Sequence, residues 1–285
     1  MRALALASVA FVAFGASQAL AADMPAKAPP VPVVVPFSWT GFYIGLNAGG
    51  AWSDRDIGYS LPPFTSGVVA TCGAPAGVAL PAPTTANLSA TCSDGSSFTG
   101  GGQIGYNWQT GAFVLGVEGD VMWRDLDTVQ FTRFGTNTTA GAPMGSVATD
   151  TAYHRSNQGT VGTVRARLGY APDRWLLYIT GGVAVGETSA SVIEVLAPGN
   201  ACPAFGATCR GASVSDTRVG YAVGGGFEWA FANNWSVGAE YLFIDLGTTD
   251  ITLTPTGGFF SNTSVSSFDH QSHTARANLN YRFGR

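Results

Sequence analysis

The sequence predicts an all-β fold, a closed antiparallel up-and-down β-barrel that spans a membrane with eight strands. First, apolar and small or polar residues alternate in segments of about the 9–11 residues that a tilted membrane strand needs. Second, the 285 residues are 46% hydrophobic and only 11% charged, whereas about 25% charge is usual in soluble domains. Third, beyond the N-terminal 21 residues the chain lacks the ~20 continuous apolar residues of a membrane helix.

The N-terminal residues predict export. Residues 1–21 have the pattern of a cleaved signal peptide, with Arg2 before an apolar run and Ala19-Leu20-Ala21 as the A-x-A cleavage site. Residues 22–38 form a Pro-rich tail that we expect in the periplasm, because such a run favours polyproline II and cannot enter a sheet interior. Residues 39–285 are then the barrel domain, located in the cell outer membrane.

Eight segments with period-two alternation are the predicted strands. The first, GFYIGLNAGGAW, places its Phe, Ile and Leu residues on one face and its Asn and most of its Gly residues on the other. The remaining segments repeat this division between an apolar face and a small or polar face. The eight segments lie at 41–52, 99–109, 112–123, 160–170, 175–186, 273–283 and in the two halves of the hairpin 218–246.

The hairpin 218–246 indicates which face meets lipid. In a soluble sandwich, the charged face is outside and the apolar face packs against a second sheet. Here the polar face is rich in glycine and holds few charges, whereas the apolar face carries aromatic residues near its ends, such as Tyr221 and Trp229. Membrane barrels direct apolar side chains and aromatic girdles toward lipid. We therefore expect the small and charged residues to line the interior.

The connections alternate between short and long, which predicts short periplasmic turns and long extracellular loops. The short ones are 109–112, 171–174 and 231–234, and the long ones are 54–98, 124–159, 187–216 and 248–272. Ten strands are an alternative, because 128–133 and 191–196 also alternate and could form an added hairpin. We expect instead that these two segments extend neighbouring strands above the membrane.

Strand parity predicts a charge network inside the barrel. The interior of an eight-stranded barrel holds only side chains, and a buried charge is costly unless it is paired. We therefore expect a salt-bridged plug, with a narrow ion path as the alternative. The predicted pairs are Glu118 with Arg165 or Arg167, and Glu240 with Arg276 or Arg282. The whole set is Glu118, Asp120, Arg165, Arg167, Arg218, Glu228, Glu240, Arg276 and Arg282. Glycine clusters such as Gly224-Gly225-Gly226 are expected to give these arginines room.

The four cysteines lie in predicted loops and suggest disulfides. Cys72 and Cys92 are in the first long loop, and Cys202 and Cys209 are in the third. An even number in an exported protein favours disulfide pairing, with three connectivities, of which pairing within each loop is the simplest. The spacings do not fit a metal site, and no cofactor is predicted.

Several strands carry a resemblance to a known family. GFYIGLNAGGAW at 41–52, GYAVGGGFEWAF at 220–231 and ARANLNYRF at 275–283 resemble the outer-membrane immunogenic protein family of Gram-negative bacteria. The resemblance implies a small porin-like barrel, similar to the membrane part of OmpA, with a structural and surface-antigen role. It also implies contact with outer-membrane lipid, lipopolysaccharide and the assembly machinery. Tyr281 and Phe283 are the candidate assembly signal, although Gly284 and Arg285 follow the terminal aromatic residue.

Three function classes follow from the sequence. The favoured one is an integral outer-membrane barrel with a structural and antigenic role, with narrow solute passage as a variant. The second is an adhesin or receptor whose disulfide-stapled loops bind a host or phage ligand. The least favoured is a lipid A deacylase-like enzyme using His154 and Ser156 or His270 and Ser272, which we interpret instead as polar loop and rim residues. A nucleic-acid partner is not expected, because the net charge is −4.

Overall fold

Antiparallel β-strands make up the part of the chain that the structure, a computed structural model, describes. That part comprises residues 37–53, 56–60, 68–69, 88–91, 95–136, 148–196, 209–254 and 263–283. No helix within these ranges is long and apolar enough to cross a membrane. The strands are β1 (Gly41–Ser53), β2 (Asp56–Ser60), β3 (Val68–Val69), β4 (Leu88–Thr91), β5 (Gly95–Thr110), β6 (Phe113–Trp123), β7 (Leu126–Thr136), β8 (Ala148–Tyr170), β9 (Trp175–Leu196), β10 (Cys209–Trp229), β11 (Trp235–Leu253) and β12 (Ser264–Arg282).

Eight of these strands pair in a hydrogen-bonded ring. The order is β1-β5-β6-β8-β9-β10-β11-β12, and β12 pairs back with β1, from Tyr43 opposite Arg282 to Trp52 opposite His273. Every pairing is antiparallel. The predicted count of eight strands thus matches the ring but not the total number of strands, because the described ranges contain twelve.

The four additional strands lie where long loops were predicted. β2 pairs with β12 and β4 pairs with β2, while β3 pairs with β7. β7 follows β6 after residues 124–125 and pairs with β8 beyond the segment that pairs with β6. The expectation for the two extra alternating segments is met in one case: 191–196 is the end of β9 and so extends an existing strand. The other segment, 128–133, belongs to the separate strand β7, which pairs with β8 and does not form a hairpin with 191–196.

The ring has a turn end and a loop end. The turn end holds the short connections 111–112, 171–174 and 230–234 together with the start of β1 and the end of β12. Backbone hydrogen bonds join these pieces, from Ala171 N to Ala112 O at 2.7 Å and from Arg282 N to Asn234 O at 2.8 Å. The opposite end is the loop end.

The strands are longer at the loop end than the sequence predicted. β8 and β9 have 23 and 22 residues, so the predicted loops 124–159 and 187–216 are partly strand. Backbone pairing continues beyond the apolar outer band. There the outer face carries Ser, Thr and Asp residues, so the alternation of apolar and polar residues that predicts a membrane strand is lost. The outer face of this extension is more polar than the band, with Arg155, Ser213 and Asp250 exposed beside a few apolar residues such as Ile193.

The outer surface of the ring is apolar near the turn end. Val164, Leu46 and Val219 are each 70% exposed there. Aromatic residues mark both edges of this band, as in the ten-residue intervals from Phe98 to Trp108 and from Phe113 to Trp123. Six of the seven tryptophans lie on this surface: Trp52, Trp108, Trp123, Trp175, Trp229 and Trp235. The expected apolar outer face is confirmed, whereas the inner face carries large apolar side chains such as Met122 and Leu242 in addition to polar ones.

Candidate functional site

A network of seven charged side chains occupies the interior of the ring. Each is no more than 4% exposed, and each lies on the inward parity of its strand, so it turns away from the apolar outer band. The members are Glu118 and Asp120 on β6, Arg165 and Arg167 on β8, Glu228 on β10, Glu240 on β11 and Arg276 on β12.

Arg165 connects the two sides of this network. Its Nη2 atom donates to Glu118 Oε1 at 2.6 Å on the neighbouring strand β6. Its Nη1 atom donates to Glu240 Oε1 at 2.9 Å on β11, across the ring. A side chain from β8 that reaches both β6 and β11 leaves little room for solvent between them. The expected contact of Glu118 with Arg165 is present.

Arg276 completes the same cluster from β12. Its Nε and Nη2 atoms donate to Glu240 Oε2 at 2.8 and 2.5 Å, and its Nη1 atom donates to Asp120 on β6. Glu240 therefore accepts hydrogen bonds from two guanidinium groups. Charge-assisted, multiply bonded pairs of this kind are the arrangement in which buried ions can be accommodated.

Arg167 forms the part of the network nearest the turn end. It pairs with Glu228 on β10 and donates from Nη1 to the Tyr43 hydroxyl at 2.8 Å. Tyr43 in turn donates to Glu118 Oε2 at 2.6 Å, and the Arg167 guanidinium lies 3.7 Å from the centre of the Tyr178 ring. The two tyrosines were not predicted as members. Alternation along a strand indicates that a residue faces inward, but it does not indicate which inward residues bond to one another.

Two predicted members lie elsewhere. Arg218 is half-buried and donates to the backbone carbonyl of Thr248 at 2.8 Å. The pairing of β10 with β11 covers only Tyr221–Trp229, so Arg218 lies beyond it and near the β11 bulge instead of inside the network. Arg282 is buried at the turn end, with its guanidinium 4.4 Å from the centre of the Trp39 ring, while Glu240 pairs with Arg276 and Arg165.

Glycines lie directly opposite the two central arginines. Gly182 pairs with Arg165 and Gly49 pairs with Arg276. A Cβ atom at Gly182 would be 2.0 Å from the Val164 carbonyl oxygen, and a Cβ atom at Gly49 would be 2.0 Å from that of Ala275. These glycines therefore allow the strands that carry the arginines to approach closely, in agreement with the expected role of glycine on the inner face.

An apolar layer follows the charge network toward the loop end. On β11 it begins at Leu242, two residues beyond Glu240, and on β6 it begins at Met122, two residues beyond Asp120. All members are buried. The layer comprises Met122, Val161, Ala184, Ala222, Leu242, Ile244 and Leu246.

A second polar layer lies beyond the apolar one. Arg124 donates from Nη1 to Ser272 Oγ at 2.8 Å and from Nη2 to Gln158 Oε1 at 3.0 Å. His154 lies 3.2 Å from Ser266 Oγ. Burial in this layer, outside the apolar band of β8, lowers the pKa of His154 to about 4, although Glu194 acts in the opposite direction.

The interpretation of the His-x-Ser pairs as loop and rim residues was wrong. His154, Ser156, His270 and Ser272 are all buried inside the ring. On β12 every second residue from Ser264 to Arg282 is buried. This unbroken alternation was the sequence signal for an inward row, and it went unrecognised because the inward residues at 264–272 are mostly polar.

The turn end is closed by the segment before β1. Trp39 is fully buried, its indole N–H donates to the Asp173 carbonyl at 2.9 Å, and its backbone N–H donates to Gln109 Oε1 at 2.6 Å. It packs in a cluster with Val114, Ala171, Leu176, Tyr178 and Ala230. Residue 39 was predicted to begin the barrel domain, but no role was predicted for its side chain.

The remaining predicted sites are described only in part. Cys209 is buried and is not a free thiol, whereas Cys72, Cys92 and Cys202 lie outside the described residues, so the predicted pairing stays a prediction. Phe283 lies on the outer surface, 5.0 Å from Tyr281 and 5.7 Å from Phe42 between ring centres. Within the described ranges, no group of three His, Cys, Asp or Glu side chains could hold a metal ion.

Comparison with known proteins gives consistent similarities. A family model described as the outer membrane protein beta-barrel domain matches residues 7–283. The chain is 33% identical over 288 residues to the 31 kDa outer-membrane immunogenic protein of Brucella melitensis, covering 99% of this chain and 100% of that protein. It is 30% identical over 171 residues to the 22 kDa outer membrane protein of Rhizobium leguminosarum bv. viciae, covering 59% of this chain and 63% of that protein. Among solved structures it is similar to the outer membrane protein OprG from Pseudomonas aeruginosa, with a TM-score of 0.41 and 12% identity over 86% of this chain and 97% of that one.

Proposed function

This chain belongs to the outer membrane protein beta-barrel domain family, and from that premise we propose that it is a closed structural barrel whose interior is sealed to solutes and whose outer loops form a surface antigen. It is an outer-membrane protein, like the relatives it matches along its length. The immunogenic character of those relatives supports the antigenic part of the proposal.

The observation that carries the proposal is the stacking of layers in the interior. From the turn end, the Trp39 cluster is followed by the charge network, the apolar layer and the second polar layer. Near the loop end, Arg210 donates from Nε to Glu194 Oε2 at 2.5 Å and from Nη2 to Ser264 Oγ at 3.1 Å. An ion that entered from either end would meet side chains already bonded to one another.

The apolar layer makes conduction especially unfavourable. An ion passing Met122 and Leu242 would lose its hydration without gaining polar partners, which costs far more than the thermal energy. The adjacent arginines and carboxylates are already paired, so they do not offer a free charge of either sign. An interior with room only for side chains is also the usual state of an eight-stranded ring. We therefore propose a sealed barrel over the narrow porin variant.

The two ends suggest an orientation. Short connections face the periplasm and long ones face outward in bacterial outer-membrane barrels, so the turn end is proposed to be periplasmic. Outer-membrane lipid then contacts the apolar band around Val164 and Leu46, and lipopolysaccharide surrounds its outward edge near Trp52. The polar extension of β8 and β9 then lies above the membrane.

An enzymatic role is not proposed, because the candidate catalytic side chains face inward. His154 and His270 are fully buried inside the ring, whereas the ester bonds of a membrane lipid lie outside it. His154 meets Ser266 and His270 meets Thr249, at 3.2 and 2.9 Å. These contacts are consistent with a structural polar layer.

Antibody access on intact cells tests the orientation and the surface-antigen role. One epitope tag is inserted between β7 and β8, after Thr136, and a matched tag is inserted in the turn at Asn233. We expect antibody to label the first tag on intact cells and the second only after the outer membrane is permeabilised. Labelling of the Asn233 tag on intact cells, with the other tag hidden, would overturn the orientation.

A further inference from the structure

We propose that Trp39 is a latch that enters the turn end only after the ring has closed and that then holds the β1–β12 junction shut. This junction joins the first and last strands of the ring. It is the pairing that forms between the two ends of the domain, and its opening would release the ring.

The pocket of Trp39 is assembled from distant parts of the chain. The Gln109 side chain that accepts from its backbone N–H is 70 residues away, and the Asp173 carbonyl that accepts from its indole is 134 residues away. Ala230, from the third short connection, lies in the same cluster. Because β5, β6, β9 and two of the three short connections contribute, the pocket does not exist until β5 through β10 have assembled at the turn end.

Arg282 supplies the final wall of the pocket. It is the last residue of β12, and it lies opposite Tyr43 in the β1–β12 junction. Its guanidinium stacks 4.4 Å from the Trp39 ring centre and 5.4 Å from that of Phe37, and it donates to the Ser38 carbonyl at 3.4 Å across 244 residues of sequence. The last residue of the ring thus clamps the segment that precedes the first strand.

The order of events follows from this geometry. A tryptophan is stably buried only where its apolar surface is covered and its N–H is bonded. The hydrogen bond of Trp39 requires the β8–β9 connection, whereas the cover by Arg282 requires β12 and therefore the closed ring. Contacts that form after the rate-limiting step slow unfolding without speeding folding. Trp39 is therefore expected to control how long the closed barrel persists.

Tryptophan fluorescence can separate latching from membrane insertion. The other six tryptophans are exposed on the outer surface of the ring, so folding into vesicles of phosphatidylcholine with brominated acyl chains is expected to quench them. The residual emission belongs to Trp39, and its protection from aqueous acrylamide reports latching. We expect this protection to appear after the bromine quenching is complete, and Trp39→Phe to lack the residual emission. Simultaneous appearance of the two signals in the natural chain would overturn the proposed order.

Unfolding rates test the holding role. The folded protein is followed in urea by its altered mobility on an unboiled denaturing gel. It should unfold at least about tenfold faster for Trp39→Ala than for the natural chain. Trp175→Ala, which removes a lipid-facing tryptophan near the same end, is the matched control and should differ by less than about threefold. Equal rates for Trp39→Ala and the natural chain would refute the latch. If Trp39→Ala does not refold, the order of the two fluorescence signals in the natural chain decides alone. Neither result depends on whether the interior conducts.

Discussion

Arg165 on β8 donates a hydrogen bond to Glu240 on β11 at 2.9 Å, although these strands are three positions apart in the ring. Arg165 also bonds Glu118 on the adjacent strand β6, so one side chain ties neighbouring and distant strands together. The interior is therefore organised by contacts across the ring as well as by pairing along it, and this arrangement makes the network sensitive to loss of a single carboxylate.

Replacing Glu240 by Gln should strongly destabilise the barrel. The change leaves the buried Arg165 and Arg276 without their shared carboxylate, and breaking a buried pair in this way costs about 3–5 kcal/mol. We expect a clear fall in the thermal unfolding temperature of the detergent-folded protein. The exposed pair of Arg155 and Asp127 provides the control, because Asp127→Asn should shift the temperature little. Equal effects of the two variants would contradict the network.

Replacing Gly182 by Ala should destabilise the barrel through crowding. A Cβ atom there would be 2.0 Å from the Val164 carbonyl oxygen and 2.6 Å from Arg165 Cα, so β8 must move and the network with it. Overpacking of this kind costs about 1–3 kcal/mol, measurable as a lower urea midpoint. Gly102→Ala is the matched control, because its nearest atom would be 3.8 Å away. A midpoint for Gly182→Ala equal to that of the control would show that the strands do not approach so closely.

A charge on the outer surface should locate the membrane. Val164 is 70% exposed within the apolar band, so Val164→Arg should lower the free energy of unfolding in lipid vesicles by about 2–4 kcal/mol. Ser213 is also exposed but lies on the polar extension of β10, and Ser213→Arg should be nearly neutral. If both arginines cost the same, the apolar band does not mark the lipid-contacting part of the ring.

The buried His154 should make stability depend on pH. Burial lowers the pKa of His154 from 6.5 to about 4, so the unfolded chain binds a proton more readily than the folded chain between these values. The contribution of His154 to the free energy of unfolding is therefore fully present above pH 6.5 and is lost as the pH falls toward 4. Its total is up to about 3 kcal/mol. The urea midpoint of the natural chain should therefore fall over this range. His154→Gln should show a weaker fall between pH 6.5 and 5, and an unchanged slope would contradict the assignment.

The sequence predicted the faces of the ring better than its ends. Period-two alternation was enough to place Glu118, Arg165 and Glu240 inside, because one face had to meet lipid and only the other could hold charges. Parity does not reveal where a strand loses its partner, and for that reason Arg218 was assigned to a network that it does not join. It also does not reveal which residue from across the ring lies nearest, so the contact between Arg165 and Glu240 was not predicted.

The interior beyond the apolar band was missed for a physical reason. Hydrophobic contrast between the two faces is the signal of a membrane strand, and it disappears where both faces are polar. The segments around His154 and His270 therefore read as loops, although their backbones pair as strands. Trp39 was missed because a single aromatic residue after a Pro-rich tail carries no periodicity, and its burial depends on residues up to 243 positions away.

Single-channel recording in a planar bilayer tests the sealed interior most directly. The protein is refolded, its folded state is verified by its altered mobility in an unboiled denaturing gel, and it is inserted at known protein density under an applied voltage. The stacked network and apolar layer predict a bilayer current equal to that of protein-free membrane. Stable, reproducible conductance steps from the folded protein would contradict the sealed barrel and would make Glu118, Arg165 and Glu240 part of an ion path.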